Sequence, residues 1–227
     1  MSTLSIILPV LDEGDVIASM LNGLAELRAL GVEVIVVDGG SRDATVERAR
    51  PHADCVLAAP RGRASQMNAG AARASGDVLL FLHADTRLPA DAEQVVLNEL
   101  QRSGRAWGRF DLEIEGRHPL LPLIAWLMNL RSRLTGIATG DQAIFVRRKA
   151  FDDADGFPLL PLMEDIALCR RLKRVGRPLC LHQRVVTSGR RWERKGTVRT
   201  VLLMWKLRLA FFLGADPRKL ARQYGYE

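Results

Sequence analysis

A predicted buried strand that ends on a carboxylate is the feature of this chain that most restricts its fold. Residues 78–82 are five apolar residues without a break, and His83-Ala84-Asp85 follows them directly. Such a run is typical of a strand covered on both faces, as in a parallel sheet between helices. Ligands of these sheets bind just beyond the carboxyl ends of the strands. We therefore predict that Asp85 binds a metal ion or a phosphate group.

Strands and helices alternate along the first half of the chain. Apolar strands are predicted at 4–10, 32–37 and 55–58, and amphipathic helices at 15–30 and up to Arg50, the second capped by Ser41 or Asp43. This alternation predicts an α/β fold with a mainly parallel sheet. The later patterns predict helix 89–102, a half-exposed antiparallel strand 106–114, an apolar segment 118–134, strand 143–146, helix 163–175, strand 178–186 and helix 197–213.

Length and composition indicate an ordinary globular protein with one large domain. The 227 residues are 48% hydrophobic and 26% charged, which excludes bulk disorder. The three cysteines have unrelated spacings, so we expect reduced thiols in a cytoplasmic protein and neither a disulfide framework nor a zinc site. The sequence shows no secretory signal, and no apolar run approaches the ~20 residues that span a bilayer.

The net charge of +7 is distributed unevenly. Residues 1–113 carry 11 Lys and Arg against 16 Asp and Glu, whereas residues 114–227 carry 22 against 10. The first part is therefore the expected place for metal ligands. The second suits an anionic partner, whether phosphate, a membrane surface or nucleic acid, and charge alone does not choose among them.

Acidic residues follow several of the predicted strands, and a basic turn lies between them. The first strand is not followed by a Gly-x-Gly-x-x-Gly turn, and no Walker lysine motif is present, so dinucleotide and P-loop chemistry are disfavoured. Carboxylates can hold Mg²⁺ or Mn²⁺ or accept from a base N–H, and arginines can bind a diphosphate. The acids are Asp12, Glu13, Asp38 and Asp85, and the turn carries Arg61 and Arg63.

Four of these segments, taken in order, resemble the family 2 glycosyltransferases of GT-A fold. They are Leu-Pro-Val-Leu-Asp-Glu, Val-Val-Asp-Gly-Gly-Ser-Arg-Asp, Leu-His-Ala-Asp and Glu-Asp. The resemblance covers about residues 4–192 and implies a Rossmann-like, three-layer αβα domain with a twisted, mostly parallel sheet. Within the family, the chain is most similar to small bacterial enzymes with a His-Ala-Asp metal motif, some of which are candidate transferases of arsenosugar biosynthesis.

The resemblance implies a donor side of the site. Pro9 and Glu13 would lie beside the nucleoside, Asp38 would pair with the base, and Arg63 would approach the base or the diphosphate. Asp85 would ligate Mg²⁺ or Mn²⁺. His83, which replaces the first aspartate of the usual metal motif, would be a second metal-site residue, since imidazole can ligate Mn²⁺ although it suits Mg²⁺ less well.

The resemblance also implies a catalytic base and an acceptor side. Asp165 matches the base of an inverting transfer, which takes the proton from the attacking hydroxyl at a helix start that favours its negative charge. The acceptor-side residues would be Asp141, Gln142, Glu164, Arg191 and Trp192, the last two in a Ser-x-x-Arg-Trp variant of the Gln-x-x-Arg-Trp motif of processive members. Plainer roles are also open to several of these residues: Asp165 as a helix-start acid, His83 as a structural histidine, Trp192 as a core anchor and Asp141 as a turn residue.

The predicted domain organisation is a GT-A domain, 1–192, and a basic amphipathic helical extension, 193–227. Within the domain, residues 1–113 would bind the nucleotide sugar and residues 114–192 the acceptor. The apolar face of the extension packs on the core, on a second copy in a homodimer, or in the inner face of the plasma membrane; excess basic residues favour the membrane. No nucleic-acid reader motif is present. The face comprises Val198, Val201, Leu202, Trp205, Leu209 and Phe212.

Together these features predict a metal-dependent, inverting glycosyltransferase that moves a sugar from a nucleoside diphosphate, expected to be UDP, to a hydroxyl acceptor. A nucleotidyltransferase on a similar sheet is one rival, but it would carry a Gly-rich basic loop after the first strand. A non-catalytic, membrane-associated scaffold is the other, and it predicts no calorimetric heat with UDP or GDP and Mn²⁺.

Overall fold

The computed structural model describes residues 2–225, apart from the side chains of Arg191, Arg194 and Lys195. One eight-stranded sheet in the order β3-β2-β1-β4-β7-β6-β8-β5 forms its centre. The strands are β1 (Leu4–Val10), β2 (Glu33–Asp38), β3 (Cys55–Ala58), β4 (Val78–Phe81), β5 (Thr86–Arg87), β6 (Trp107–Glu115), β7 (Phe145–Arg147) and β8 (Leu179–Ser188).

The sheet has a parallel half and a mixed half. Strands β3, β2, β1 and β4 are parallel to one another, as expected for alternating strands and helices. β7 runs antiparallel to β4 and β6, while β8 pairs parallel with β6 and antiparallel with β5. In register, Val10 lies opposite Asp38, so β1 and β2 end at the same edge of the sheet. The predicted α/β class with a largely parallel sheet is confirmed.

Helices cover both faces of this sheet. They are α1 (Ile17–Asn22), α2 (Ala25–Ala29), α3 (Thr45–Ala49), α4 (Arg63–Arg73), α5 (Ala92–Ser103), α6 (Leu121–Thr135), α7 (Arg148–Asp153), α8 (Glu164–Leu172), α9 (Arg190–Lys195), α10 (Thr197–Phe212) and α11 (Pro217–Tyr224). The prediction of a single helix over 15–30 is wrong, because Gly23 and Leu24 interrupt the helix and separate α1 from α2.

Alternate residues of the central strands feed two separate cores. Ile6 and Leu80 belong to the cluster under α1, α2, α5 and α6, whereas Ile7 and Leu79 belong to the cluster under α4, α7 and α8. This period of two along a strand buried on both faces produces the predicted three layers. The predicted boundary at residues 113 and 114 lies inside β6, within the continuous sheet.

The prediction of a half-exposed strand at 106–114 is wrong. Trp107 and Arg109 are fully buried, and Asp111 is nearly so, because β6 is enclosed by β7, β8 and α6. The charged residues are tolerated inside because they pair. Arg109 and Arg133 both donate to the carboxylate of Asp111, the second at 2.5 Å. A buried charge needs such partners.

The helix α10 is buried on one side and exposed on another. Leu207 is fully buried in a third apolar cluster that joins α10 and α11 to Met163 and Ile166. Val201 of the predicted apolar face is half-buried, whereas the remaining residues of that face, Val198, Leu202, Trp205, Leu209 and Phe212, are 56–71% exposed. The structure therefore does not support packing of this stripe on the core. Among residues 2–225, no helix has the length and apolarity needed to cross a membrane.

Candidate active site

A cavity of about 370 Å³ gathers most of the predicted site residues. It lies where β4 and β8 end and where α8 begins, with α6 and α10 forming its other walls. This position agrees with binding beyond the carboxyl ends of strands. The predicted residues that line it are Arg63, His83, Asp85, Asp141, Glu164, Asp165 and Trp192.

His83 is held by Asp141 from the turn Gly140–Gln142. The His83 Nδ1 atom lies 3.1 Å from a carboxylate oxygen of Asp141. The imidazole also packs directly on Gly140, where any Cβ would collide with its Nε2 atom. Burial raises the pKa of Asp141, but the hydrogen bond to His83 and the charges of His83, Arg63 and Arg208 outweigh this effect. Together they lower the pKa to about 2. One nitrogen of His83 thus has a protein partner.

Asp85 is the residue that best fits a divalent cation. Its side chain is exposed to the cavity, and one carboxylate oxygen accepts from the Thr86 hydroxyl at 3.3 Å. A carboxylate of this kind is a suitable hard ligand for Mg²⁺ or Mn²⁺. The described part of the chain contains no group of three or more His, Cys, Asp or Glu side chains arranged to hold a metal. The donor set therefore fits a cation that takes its other ligands from a bound diphosphate or water.

Asp165 is positioned by backbone groups. It lies in the first turn of α8, which begins after Met163 in a left-handed conformation at φ 69°. The Gly140 N–H donates to one of its carboxylate oxygens at 3.0 Å, and the Ile166 N–H donates to the other at 2.7 Å. The turn that holds His83 therefore also fixes the predicted base.

Glu164 is buried beside Asp165. Burial, followed by the charge of Asp165, raises the pKa of Glu164 to about 7, although the charge of Arg63 opposes this. Two adjacent carboxyl groups that face one cavity thus differ in environment, one half-buried and the other buried. Such asymmetry is common where acids serve different roles.

Arg63 and Glu13 connect the cavity to the end of β1. Arg63 begins α4, and its charge acts on Glu13, Asp141 and Glu164. Burial, followed by the charge of Asp85, raises the pKa of Glu13, and Arg190 and Arg63 oppose that rise. These mutual effects place Glu13 near the cavity, although it does not line it.

Asp38 binds its own turn. Its carboxylate accepts from the Gly40 N–H at 3.0 Å and from the N–H and hydroxyl of Ser41 at 3.1 and 2.5 Å. It lies at the end of β2 and not in the cavity lining. Pro9 of β1 lies opposite Val37 of β2 and is half-buried at the same edge. These two residues flank the cleft from the side of β1 and β2, and their predicted contacts with a nucleoside stay predictions.

The remaining predicted acceptor residues have different environments. The Gln142 amide is buried, 3.2 Å from both Asn129 and Ser132, so it holds the turn in place and does not line the cavity. Trp192 lines the cavity and also packs on the core cluster of α6. The Arg191 side chain lies outside the described residues.

Two cavity residues were missed by the sequence reasoning. Arg131 of α6 and Arg208 of α10 both line the cavity. No motif marks them, but each is an arginine among apolar residues of a helix, and that placement was the available signal.

The chain belongs to the family 2 glycosyltransferases. Its residues 5–154 match the sequence profile of Glycosyl transferase family 2. The fold, with its acids at strand ends and its cavity at the carboxyl edge, agrees with that membership. No curated protein gave a significant match to the whole sequence.

Several solved structures share this fold. The mannosyltransferase PcManGT from Pyrobaculum calidifontis, in complex with GDP-Man and Mn²⁺, is 21% identical, with 82% of this chain and 56% of that chain covered and a TM-score of 0.63. S. aureus TarS 1–349 with UDP-GlcNAc is 20% identical, with 82% and 58% covered and a TM-score of 0.66.

A third similar structure contains phosphoglyceric acid together with UDP and Mn²⁺. Glucosyl-3-phosphoglycerate synthase from Mycobacterium tuberculosis, with Mn²⁺, UDP and phosphoglyceric acid, is 22% identical, with 82% and 69% covered and a TM-score of 0.58. The present chain spans just over half the length of PcManGT and TarS 1–349. At these identities the similarity concerns the fold.

Proposed function

We propose that this protein transfers a sugar from a nucleoside diphosphate, with UDP the expected carrier, to a hydroxyl acceptor with inversion. The observation that carries the proposal is that Arg63, Asp85 and Asp165 line one cavity. A diphosphate needs a cation and a metal ligand, and an attacking hydroxyl needs a base, so these residue types together favour this reaction. Solved structures of the same fold contain UDP-GlcNAc, UDP or GDP-Man, which supports a nucleotide-sugar donor.

In the proposed reaction, Asp165 takes the proton of the acceptor hydroxyl while that oxygen forms a bond to the anomeric carbon. The bond between this carbon and the diphosphate breaks, and the diphosphate leaves with the electron pair. Arg63 binds the leaving diphosphate, and Glu13, Asp38 and Pro9 contact the nucleoside. Asp85 would hold a divalent cation, and that ion would stabilise the charge of the leaving group.

The acceptor is proposed to bind near Asp141, Glu164 and Trp192, which line the cavity on the side of α8 and α9. Residues 114–192 would supply most of this part, and residues 1–113 the donor part. Membership in the small His-Ala-Asp subgroup, with its connection to arsenosugar biosynthesis, stays a prediction of the sequence resemblance.

Two variants test the roles of the acids. Asp165→Asn should reduce transfer at least 100-fold while UDP or GDP binding with Mn²⁺ stays within twofold of wild type. Asp85→Asn should weaken that nucleotide binding at least tenfold. Mass spectrometry of products from a panel of nucleotide sugars and a cell extract measures transfer, calorimetry measures binding, and the anomeric coupling in NMR reports inversion.

Asp152→Asn is the matched control, because Asp152 is exposed on α7 and does not line the cavity. Full transfer by Asp165→Asn would refute the assigned base. The absence of heat with UDP and GDP in the wild type would instead support the non-catalytic scaffold.

The exposed stripe of α10 is proposed to contact an anionic membrane surface. Residues 170–227 contain 16 Lys and Arg against 3 Asp and Glu, and Arg199 and Lys206 are exposed on the same helix. Basic side chains around exposed Trp205 and Phe212 complement anionic lipid better than a second basic copy of the chain.

Vesicle sedimentation tests this contact. Combined Trp205→Ser and Phe212→Ser should reduce binding to phosphatidylglycerol vesicles at least fivefold, whereas Leu30→Ser, at another exposed apolar site, should leave it unchanged. A concentration-dependent dimer that the double substitution dissociates, without any vesicle binding, would favour the homodimer instead.

A further inference from the structure

Two half-buried arginines of the cavity have buried nitrogen atoms without an acceptor among the described residues. Among the described residues, no hydrogen-bond acceptor reaches Nε and Nη2 of Arg131 or Nε of Arg208, and all three atoms are buried. Guanidinium N–H groups that are removed from water without an acceptor are unfavourable in a folded protein. Such groups in a cavity wall are therefore available to an anionic ligand.

The electrostatics of the two arginines agree with that availability. Burial, followed by the charge of Arg208, lowers the pKa of Arg131 to about 10, with Asp165 opposing the change. Burial lowers the pKa of Arg208 also, against the charges of Asp165 and Asp141. The carboxylates of the cavity thus compensate these two cations incompletely. An anion bound between them would offset the cost of burying the two charges and would reduce their mutual repulsion.

The surfaces beside the two arginines are apolar. One turn before Arg131, α6 presents Leu127 to the cavity, and one turn before Arg208, α10 presents Met204 and Trp205. Leu127 is 41% exposed and Trp205 is 62% exposed, so these two side chains lie at the rim of the cavity. The cavity consequently opens among the exposed apolar side chains of α6 and α10. A ligand that fills it has an anionic group inside and an apolar group toward the surface.

We propose that the acceptor is an anionic amphiphile whose phosphate binds Arg131 and Arg208 and whose hydrocarbon part lies against Leu127 and Trp205. This inference rests on the proposed glycosyl transfer, since it specifies the acceptor of the same site. Two arginines match a phosphate better than a carboxylate, because its several oxygens and larger charge can engage both planar forks. Asp165 lines the same cavity as both arginines, so it is placed to take the proton from a hydroxyl of the same molecule.

Calorimetry with simple probes tests the site in the full chain. n-Octyl phosphate should bind at least tenfold more tightly than n-octyl glucoside, which lacks the anion, and than inorganic phosphate, which lacks the chain. Arg131→Gln and Arg208→Gln should each weaken octyl phosphate binding at least tenfold. Arg102→Gln, at an exposed arginine of α5 outside the cavity lining, should leave it unchanged.

Three results would overturn the proposal. One is octyl phosphate binding no more tightly than octyl glucoside, which removes the anion site. Another is inorganic phosphate binding as tightly as octyl phosphate, which removes the amphiphile. The third is wild-type binding by Arg131→Gln and Arg208→Gln.

Binding of UDP or GDP with Mn²⁺ by the same variants separates this inference from the proposed function. If nucleotide binding persists and the octyl phosphate preference is missing, the acceptor class alone is wrong. If the wild type binds no nucleotide, the proposed transfer is wrong, whatever the amphiphile series shows. Retained nucleotide binding in Arg131→Gln and Arg208→Gln also shows that these variants are folded.

Discussion

Helix α6 takes part in two groups of arginines that differ in how their charges are satisfied. In the first group, Arg109 and Arg133 flank Asp111, and Arg109 also donates to the Asn129 carbonyl at 3.1 Å. In the second group, Arg131 and Arg208 face the cavity with buried nitrogen atoms that no described residue accepts from. Arg133 of α6 thus pairs with a carboxylate of the core, whereas Arg131, two residues earlier on the same helix, has two buried nitrogens without a described acceptor.

Buried charges that stabilise the fold have their partners within the protein, whereas buried charges of a binding site can take a partner from a ligand. A buried ion pair is tolerated when each charge has a close partner, whereas unpaired buried groups are uncommon and need an explanation. The Asp111 group holds β6 to α6, and only one of its buried nitrogens, Nε of Arg109, has no acceptor among the described residues. The proposed ligand would supply acceptors for the three such nitrogens of Arg131 and Arg208. Stability measurements on the protein without ligand can therefore distinguish the two groups.

The largest expected effect is on the paired group. Asp111→Asn removes the carboxylate between Arg109 and Arg133 and leaves the fully buried Arg109 uncompensated. We expect a loss of about 3–5 kcal/mol in the free energy of unfolding. Urea denaturation followed by circular dichroism measures it. Asp91→Asn, at an exposed position before α5, is the control and should change stability by less than about 0.5 kcal/mol.

The next effect concerns the buried acid of the cavity and depends on pH. With a pKa raised to about 7 in the folded protein and about 4.3 in the unfolded chain, Glu164 is protonated in both states below pH 4. Between pH 4 and 7 only the unfolded chain releases the proton, so stability falls as pH rises, and the loss is complete above pH 7.

Glu164→Gln should remove this loss. We expect the difference in the free energy of unfolding between the variant and wild type to shift in favour of the variant by on the order of 3 kcal/mol when the pH is raised from 4 to 8. Urea denaturation of both proteins at these pH values gives the difference. An equal difference at both pH values would show that Glu164 titrates normally and that the cavity does not impose a cost on its charge.

Sequence reasoning found acids of the cavity but neither group of arginines, for physical reasons. Asp85 was found because a buried run ending on an acid is a local pattern, and Asp165 because a short Glu-Asp segment carries part of the family resemblance. Arg131 and Arg208 are far apart in the sequence, and only the packing of α6 and α10 brings them to one cavity. No local pattern contains that information.

The alternating polar pattern of residues 106–114 led to a wrong prediction of exposure, because its charges pair inside the protein. Trp107, Arg109 and Asp111 read as a strand with one polar face, but the tertiary pairing of Asp111 with two arginines makes that face internal. The same limit applies to Asp38. Its position at a strand end was predictable, whereas the engagement of its carboxylate by the Ser41 turn depends on backbone geometry.

A smaller effect of opposite sign is expected at the unpaired group. Arg131→Met removes a buried cation that has no partner for two of its nitrogens and keeps an apolar side chain of similar length. We expect unchanged stability or a gain of about 1 kcal/mol, since replacing poorly compensated buried charge by apolar groups is often neutral or stabilising. The matched variant Arg109→Met, in the paired group, should lose stability. Equal losses in both would contradict the distinction.

The smallest effect is expected outside both groups, on the exposed stripe of α10. Leu202 and Leu209 are 59% and 62% exposed, so their replacement by Ser removes little buried apolar surface. We expect each change to alter the unfolding free energy by less than about 0.5 kcal/mol, apart from a small helix-propensity term. Leu207→Ser, on the fully buried side of the same helix, should instead lose about 2–4 kcal/mol. A large loss at Leu202 would mean that this stripe is covered by protein in solution, and a concentration-dependent unfolding midpoint would identify that cover as a second copy.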